Sequence, residues 1–431
     1  MKKYLALLLV LVMVLSLAAC ASKPAETTDE PEQTTTEPAP AEETKDEEPA
    51  PAEETKEEET TEEPADNTEY AVAMITDYGD ITDQSFNQTT YEACKAFCED
   101  NGVEFSYFKP AGDNTADRVA MIEKAVDEGY NVIVMPGYAF GGAIVEAAPE
   151  FPDVKFIALD VAKGDLLEAG VAKAGESYDY NPDNWDLEKY VDMSNVYCAI
   201  YQEELCGYMA GYAAVKLGYK SLGFLGGMAV PAVIRYGYGF VQGVDAAAAD
   251  LGLSDVTVKY VYGGQFFGDA DITAVMDTWY AGGTEVVFAC GGGIYTSAVE
   301  AALKSNGYVI GVDVDQNYIG VNGVADGSFA YNPFITSAMK GLTEAVNTAL
   351  SDIEAGDWSD IAASNGNFGL EDGDYIGLPT DADSWNFETF TTDEYEALKS
   401  KIKSGEIVVD NNSDDSTKPT VSEFTTVNYI Q

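Results

Sequence analysis

Short apolar segments alternate with amphipathic segments along most of the chain after residue 69. The first half of this region contains four apolar segments, at 70–76, 103–108, 132–135 and 155–159. The segments between them have the periodicity of helices, at about 85–100, 116–128 and 141–150. Val119, Ile122 and Val126, for example, have the three- and four-residue spacing that is typical of a helix packed on a sheet. The pattern predicts strands and helices in alternation.

The alternation stops at a polar stretch, 178–192, and then resumes. Four further apolar segments follow, at 221–225, 256–262, 285–289 and 308–312. Nearly continuous apolar strands separated by helices predict parallel sheets that are covered by helices on both faces. Because the alternation occurs in two blocks, we predict an α/β fold of two doubly wound parallel-sheet lobes.

Polar residues and glycines directly follow the predicted strands. In open parallel sheets, ligands bind beyond the carboxyl ends of the strands. The residues that this chain has at or near those ends are Asp77, Gly137, Asp160, Gly226, Gly292 and Asp313. We therefore expect a ligand site among them. The glycine groups lack the spacing of a nucleotide-phosphate loop, so they predict tight turns and not a phosphate site.

The first 20 residues have the composition of an export signal. Their apolar run is shorter than the roughly 20 residues that a membrane-spanning helix needs. It ends at Leu17-Ala18-Ala19-Cys20, which resembles the processing site of bacterial lipoproteins. We predict a lipoprotein signal peptide at 1–20, with acyl chains on Cys20 that anchor the protein to the extracytoplasmic face of the cell membrane. The alternative is an ordinary signal peptide that ends near a cysteine.

Residues 21–69 contain 19 acidic residues, seven prolines and ten threonines. Such a segment cannot bury enough apolar surface to offset the entropy lost on ordering, so we predict a disordered acidic tether. The whole chain has 75 acidic and 23 basic residues, and its net charge of −52 disfavours nucleic acids as partners. The chain has no histidine, which excludes Ser-His-Asp catalysis and histidine-containing metal sites. We expect no cofactor and no metal.

Residues 77–88, with the sequence DYGDITDQSFNQ, resemble the opening signature of the basic membrane protein family. The resemblance continues in order at 152–156, 203–211, 223–228, 235–240, 310–316 and 402–407. It covers about residues 70–409, which is nearly all of the predicted folded part. Members of this family are substrate-binding lipoproteins of ABC transporters, and the best understood members bind purine nucleosides.

The resemblance implies a type I periplasmic-binding-protein architecture, with two lobes joined by three crossovers. Lobe 1 is expected to contain 70–195 and 328–370, and lobe 2 is expected to contain 196–327 and part of 371–431. The chain is expected to leave lobe 1 near Asn195 and to return near Ser328. In function, the resemblance implies a receptor that captures a nucleoside-like ligand between the lobes and delivers it to an ABC permease.

The family signature also implies site residues. Asp77 is expected to accept hydrogen bonds from the ligand, and Asn87 belongs to the same signature. Phe86 and Tyr236 are expected to stack on the two faces of a base. The two second-lobe positions are Gly292, where the backbone approaches the ligand, and Asp313, which would bind ribose hydroxyls.

Two positions depart from the family pattern as aligned by motif. Gly142 stands where members commonly have an aspartate after the glycine–aromatic turn. Tyr331 stands where they commonly have a lysine after the returning strand. Loss of an acceptor together with a donor suggests a remodelled pocket, in which Tyr138, Phe140 and Tyr331 add aromatic surface.

Other functions are compatible with the same sequence. The cleft of this fold could take a different small molecule, or the protein could be a surface-interaction or sensor lipoprotein. An enzyme that acts on nucleosides is less favoured, because the sequence shows no nucleophile–base pair. We therefore predict a binding protein and not an enzyme.

Overall fold

The structure is a computed structural model, and it describes residues 70–373 and 375–430. The predicted signal peptide and tether lie outside the described residues. The strands are β1 (Ala71–Ile75), β2 (Glu104–Phe108), β3 (Val132–Pro136), β4 (Lys155–Leu159), β5 (Val196–Tyr201), β6 (Ser221–Gly226), β7 (Val256–Tyr262), β8 (Val286–Cys290), β9 (Tyr308–Asp313), β10 (Phe334–Lys340), β11 (Ser364–Phe368), β12 (Ile376–Gly377) and β13 (Thr425–Tyr429).

Helices connect most of these strands. They are α1 (Phe86–Asn101), α2 (Thr115–Asp127), α3 (Gly141–Ala147), α4 (Lys163–Lys173), α5 (Glu203–Lys216), α6 (Pro231–Leu251), α7 (Ala270–Ala281), α8 (Tyr295–Ser305), α9 (Asn317–Asp326), α10 (Leu342–Ala355), α11 (Trp358–Ile361) and α12 (Thr392–Lys403). Among the described residues, no helix combines the length and the apolar character needed to cross a membrane.

The strands form two sheets, and each sheet is the centre of one lobe. The sheet of lobe 1 has the order β11-β5-β4-β3-β1-β2, and all its neighbouring strands are parallel. The sheet of lobe 2 has the order β12-β10-β9-β8-β6-β7-β13, and β12 alone is antiparallel to its neighbour. The predicted α/β fold of two parallel-sheet lobes is confirmed.

The chain passes between the lobes three times, but at different residues from those predicted. The strand 196–201 was expected in lobe 2 but pairs with β4 in lobe 1, so the chain leaves that lobe after Tyr201 and not near Asn195. Similarly, β10 was expected in lobe 1 but pairs with β9 in lobe 2, so the return follows Lys340 and not Ser328. The polar stretch 178–192, which separates the two predicted blocks, lies before β5 and therefore within lobe 1.

Close packing of α5 against α6 fixes the second-lobe side of the cleft. A Cβ atom at Gly207 would lie 2.1 Å from the carbonyl oxygen of Tyr236, and one at Gly239 would lie 1.8 Å from that of Glu204. Only glycine permits this approach of two helix backbones. The first turns of the two helices are thereby held together, and they carry side chains that reach the cleft.

Candidate functional site

A cavity of about 370 Å³ lies between the lobes, at the carboxyl ends of the strands. This volume is within the usual range for small-molecule sites. The lining includes Asp77, Tyr78, Asp80, Asp83, Phe86, Asn87, Lys109, Gly137, Tyr138, Asp160, Tyr236, Phe266, Cys290, Gly292, Val312, Asp313 and Lys340. Seven of the eight predicted ligand-binding residues are in this set, and the exception is Tyr331.

Asp77 follows β1 and is buried at the first-lobe side of the cavity. Its Oδ1 accepts hydrogen bonds from the backbone N–H groups of Tyr78 at 2.6 Å and Gly79 at 2.8 Å. Burial raises the pKa of Asp77, although these two N–H groups oppose the rise. Gly137 lies beside the other oxygen, where a Cβ atom would be 2.7 Å from Oδ2, so the close approach requires glycine. Asp77 is thus a rigidly held acceptor.

Asp83 caps α1 and thereby places the aromatic and amide groups of the signature. Its Oδ1 accepts from the backbone N–H groups of Ser85 and Gln88, and its Oδ2 accepts from the backbone and side-chain nitrogens of Asn87. These bonds fix the first turn of α1, on which Phe86 lines the cavity. The Oδ1 atom of Asn87 is buried and has no hydrogen-bond partner among the described residues.

Lys340 lies at the centre of the site, although the sequence pattern did not predict it as a site residue. Its side chain is 2% exposed, its Nζ donates to Oδ2 of Asp160, and its ammonium lies 3.6 Å from Oδ1 of Asp313 and 3.7 Å from Oε1 of Glu203. Nζ also lies 4.7 Å from the centroid of the Phe86 ring, within cation–π range. One cation therefore joins carboxylates from both lobes.

The position of Lys340 corrects the predicted departures from the family pattern. The returning strand is β10, and it ends in this lysine, so the donor taken as missing is present. Tyr331 instead donates from its hydroxyl to the carbonyl oxygens of Ala302 and Gly307, outside the cavity lining. Gly142 also lies outside the lining, packed against Thr115, so neither departure remodels the pocket.

Asp160 and Asp313 follow or end central strands of opposite lobes, and both have a left-handed backbone, with φ of 60° and 68°. Such a conformation is uncommon outside glycine, but aspartate and asparagine tolerate it better than most residues. Burial raises the pKa of both carboxyls, to about 6 for Asp160, and the charge of Lys340 opposes the rise. Two aspartates with left-handed backbones, one from each lobe, therefore face one ammonium group.

Hydrogen bonds across the cleft hold the lobes together beside the cavity. Ser85 of lobe 1 donates from Oγ to Oδ2 of Asp313 at 2.5 Å. Gln84 of lobe 1 accepts two bonds from lobe 2. Its carbonyl oxygen accepts from Nε2 of Gln316 at 3.0 Å, and Oε1 of Gln84 accepts from the Tyr318 hydroxyl at 2.8 Å. The structure is thus a closed form of the cleft.

The aromatic lining comes from both lobes. Tyr236 lies on the first turns of α6, and its hydroxyl donates to the carbonyl oxygen of Ala338 at 3.3 Å. Its ring packs edge-on against Phe288 at 5.8 Å between centroids. Phe86 and Tyr236 both line the cavity, but the stacking of a ligand ring between them stays a prediction.

The cavity carries more negative than positive charge. Five aspartates line it, against two lysines, Lys109 and Lys340. Both lysines are paired with lining aspartates, Lys109 with Asp80 at 3.0 Å and Lys340 with Asp160. Such a site favours a neutral ligand with hydrogen-bond donors over an anionic one.

Two α/β lobes that enclose a buried, polar and aromatic cavity define a solute-binding protein of the periplasmic type. Residues 70–413 match the family described as ABC transporter substrate-binding protein PnrA-like, and the chain belongs to this family. The match confirms the resemblance found in the sequence.

Named relatives and solved structures agree with this assignment. The chain is 27% identical to the ABC transporter nucleoside-binding protein BmpA of Lactococcus lactis over 66% of this chain and 74% of that protein. It is also 27% identical to basic membrane protein A of Borreliella burgdorferi, over 80% and 88% of the two chains. A solved ABC transporter solute-binding protein from Aeropyrum pernix shares the fold, with a TM-score of 0.62 at 20% identity over 80% of this chain and 95% of that chain.

Proposed function

We propose that the protein captures a nucleoside, with purine nucleosides as the first candidates, and delivers it to an ABC permease. The observation that carries the proposal is the enclosed, acidic cavity lined by Phe86 and Tyr236. A nucleoside is neutral, has two flat faces for aromatic rings and offers several hydroxyl donors to carboxylates. The similarity to a nucleoside-binding protein of Lactococcus lactis supports the same ligand class.

In this proposal Asp313 accepts hydrogen bonds from ribose hydroxyls, and Asp77 accepts them at the first-lobe side. Asn87 has a buried acceptor oxygen for a further donor, once the ligand reaches it. Gly292 has a φ of 48° and lies in the lining, where the lack of a side chain permits close backbone approach. Tyr138 adds a hydroxyl group and ring surface.

The test is calorimetric titration of the purified protein with adenosine, inosine, adenine, ribose and adenosine monophosphate. We expect saturable binding of a nucleoside, and weaker binding of the separate base, the sugar and the nucleotide. Phe86→Ala should weaken binding by about 1–3 kcal/mol through loss of a stack, and Asp313→Ala by about 1.5–3 kcal/mol. Tyr331→Phe is the matched control outside the lining and should leave affinity unchanged. Equal affinity of wild type and both site variants would contradict the assignment.

The same samples distinguish a receptor from an enzyme. Mass spectrometry after prolonged incubation should recover the nucleoside intact, because the proposed protein releases its ligand unchanged. Free base or a sugar product that accumulates with wild type, and not with Asp313→Ala, would favour an enzyme.

We further propose that Cys20 carries the lipid anchor on the extracytoplasmic side of the membrane. The support is the sequence Leu17-Ala18-Ala19-Cys20 after a short apolar run. Cys20→Ser should move the protein from the membrane fraction to the soluble fraction with its melting temperature unchanged. A Cys20→Ser protein that stays in the membrane fraction after a high-salt wash would contradict the anchor.

A further inference from the structure

Inside the cleft, carboxylates from the two lobes face a single ammonium group. Nζ of Lys340 bonds Asp160 and lies 3.6 Å from Oδ1 of Asp313. The third carboxylate nearby, Glu203, already accepts from Nε of Arg235 at 2.7 Å. Because Arg235 neutralises Glu203, the pull on Lys340 comes mainly from Asp160 and Asp313.

The ion pair with Asp160 leaves one oxygen of Asp313 available. Oδ2 of Asp313 accepts from Ser85 at 2.5 Å. Its Oδ1 is 3.6 Å from Nζ of Lys340, which is too long for a normal hydrogen bond. A carboxylate oxygen that lines the cavity can therefore take a donor from a ligand.

We propose that Asp160 is a positioning residue for ligand binding: by holding the ammonium group of Lys340, it keeps Oδ1 of Asp313 available to the ligand. This inference rests on the proposed function, in which Asp313 accepts hydrogen bonds from ribose hydroxyls. Asp160 acts here through Lys340, since its Oδ2 accepts from that ammonium group. Its Oδ1 is buried and has no hydrogen-bond partner among the described residues, so direct contact of this oxygen with the ligand is the alternative that the double-mutant cycle below distinguishes.

Loss of the charge on Asp160 favours movement of the Lys340 ammonium group toward Asp313. A shift of less than about 1 Å brings the ammonium group from its present place, 3.6 Å from Oδ1 of Asp313, to the distance of a charge-assisted hydrogen bond. The ligand must then displace a buried lysine from that oxygen before it can bind. Affinity falls although no ligand contact has been removed.

Asp160→Asn tests the charge with little disturbance of the backbone. Asp160 has a φ of 60°, and asparagine is among the side chains that tolerate this conformation best. Burial raises the pKa of Asp160 to about 6 against the opposing charge of Lys340, so the carboxylate is mainly ionised at pH 7.5. The substitution therefore removes a charge that the wild type carries under the conditions of the test.

The experiment is a double-mutant cycle of wild type, Asp160→Asn, Asp313→Asn and the double variant. Each protein is titrated calorimetrically with adenosine and with inosine at pH 7.5. We expect Asp160→Asn to weaken binding about tenfold or more, the effect of losing one charge-assisted hydrogen bond. The double variant should bind no more than about twofold more weakly than Asp313→Asn, because Asp160 acts on the ligand only through Asp313.

Two results overturn the inference while leaving the proposed function intact. Additive losses in the double variant show that Asp160 acts independently of Asp313. Unchanged affinity in Asp160→Asn shows that the position of Lys340 does not affect binding. A wild type that binds neither nucleoside overturns the proposed function instead.

The matched control is Asp165→Asn in the same lobe. Asp165 is a shielded carboxyl outside the cavity lining, and its Oδ2 accepts from the backbone N–H of Ala162 at 2.8 Å. This variant should bind within about twofold of wild type. Thermal melts precede each titration, and if Asp160→Asn does not fold, Asp160→Gly, which fits the same left-handed backbone, takes its place in the cycle.

Discussion

The two lobes place an aspartate in the same backbone geometry at a strand end and use it differently. Asp160 in lobe 1 is paired with Lys340, which begins a crossover between the lobes. Asp313 in lobe 2 accepts from Ser85 of the opposite lobe. A left-handed aspartate at a strand end is therefore not by itself a ligand contact. The role of such an aspartate depends on its partner: Asp160 pairs with a buried lysine, and Asp313 bonds a serine across the cleft.

The largest expected effect is on stability, and it tests whether the two aspartates depend on one cation. Lys340→Met leaves both carboxylates, together with Glu203, without the buried ammonium group. Removing one partner of a buried ion pair typically costs about 3–5 kcal/mol. Urea unfolding at pH 7.5 measures the loss.

The control for this variant is Lys304→Met. Lys304 pairs with Asp277 at 2.9 Å and Glu300 at 3.1 Å on the surface, where its side chain is 48% exposed. Exposed pairs contribute about 0–1 kcal/mol, so the change should be small. If both variants lose the same free energy of unfolding, the aspartates of the two lobes do not depend on Lys340.

Glu204, next to this network, sharpens the comparison because one of its carboxyl oxygens lacks a partner in the described part of the chain. Oε2 of Glu204 is buried without a hydrogen-bond partner among the described residues. Burial, with the nearby charge of Glu203, raises the pKa of Glu204 to about 7. The folded protein therefore holds this proton more tightly than the unfolded chain, and the stability due to Glu204 falls as pH rises from about 4.5 to 7.

Glu204→Gln removes that dependence. We expect about 1–3 kcal/mol higher free energy of unfolding at pH 7.5, and no gain at pH 4, where the glutamate is protonated in both states. Denaturant unfolding at the two pH values measures the difference. A gain of equal size at both would show that the effect is steric and not electrostatic.

The smallest expected effect concerns the contacts that close the cleft. Tyr318→Phe removes the hydroxyl that donates to Gln84 and leaves the ring in place. The loss of one such bond should speed ligand dissociation by the equivalent of about 0.5–1.5 kcal/mol, without changing the association rate. Stopped-flow displacement measures it, with Tyr180→Phe, on the exposed loop of lobe 1, as the control. A slower association rate with unchanged dissociation would indicate a role in ligand entry.

Local sequence pattern predicted eight of the described strands, but it did not predict the central strands β5 and β10. The segments 155–159 and 256–262 agree with β4 and β7 at both ends, because these strands are apolar and end sharply in polar or glycine residues. The edge strands β11 and β13, with the sequences SNGNF and TTVNY, were not predicted, since they are polar and half exposed. Their pairing depends on a neighbour far along the chain.

The site was predicted in part for the same reason. The family signature located Asp77, Phe86 and Asn87, which are close in sequence; Phe86 and Asn87 share one capped helix turn, and Asp77 follows the strand before it. Lys340 was missed because its partner Asp160 is 180 residues away, and nothing near the lysine distinguishes it from an exposed strand end. The assignment of the returning strand was wrong as well, which moved the expected lysine to Tyr331. Contacts between distant strand ends are set by the order of strands in the sheet.

Strand β1 begins at Ala71 and runs toward Asp77, so its first residue lies at the edge of the lobe 1 sheet that faces away from the cavity. Its neighbours in the sheet are β2 and β3, which belong to the same lobe. A pull on the chain at residue 70 therefore enters lobe 1 directly. Force applied there is carried by the lobe 1 sheet and does not pass through any of the three crossovers to lobe 2.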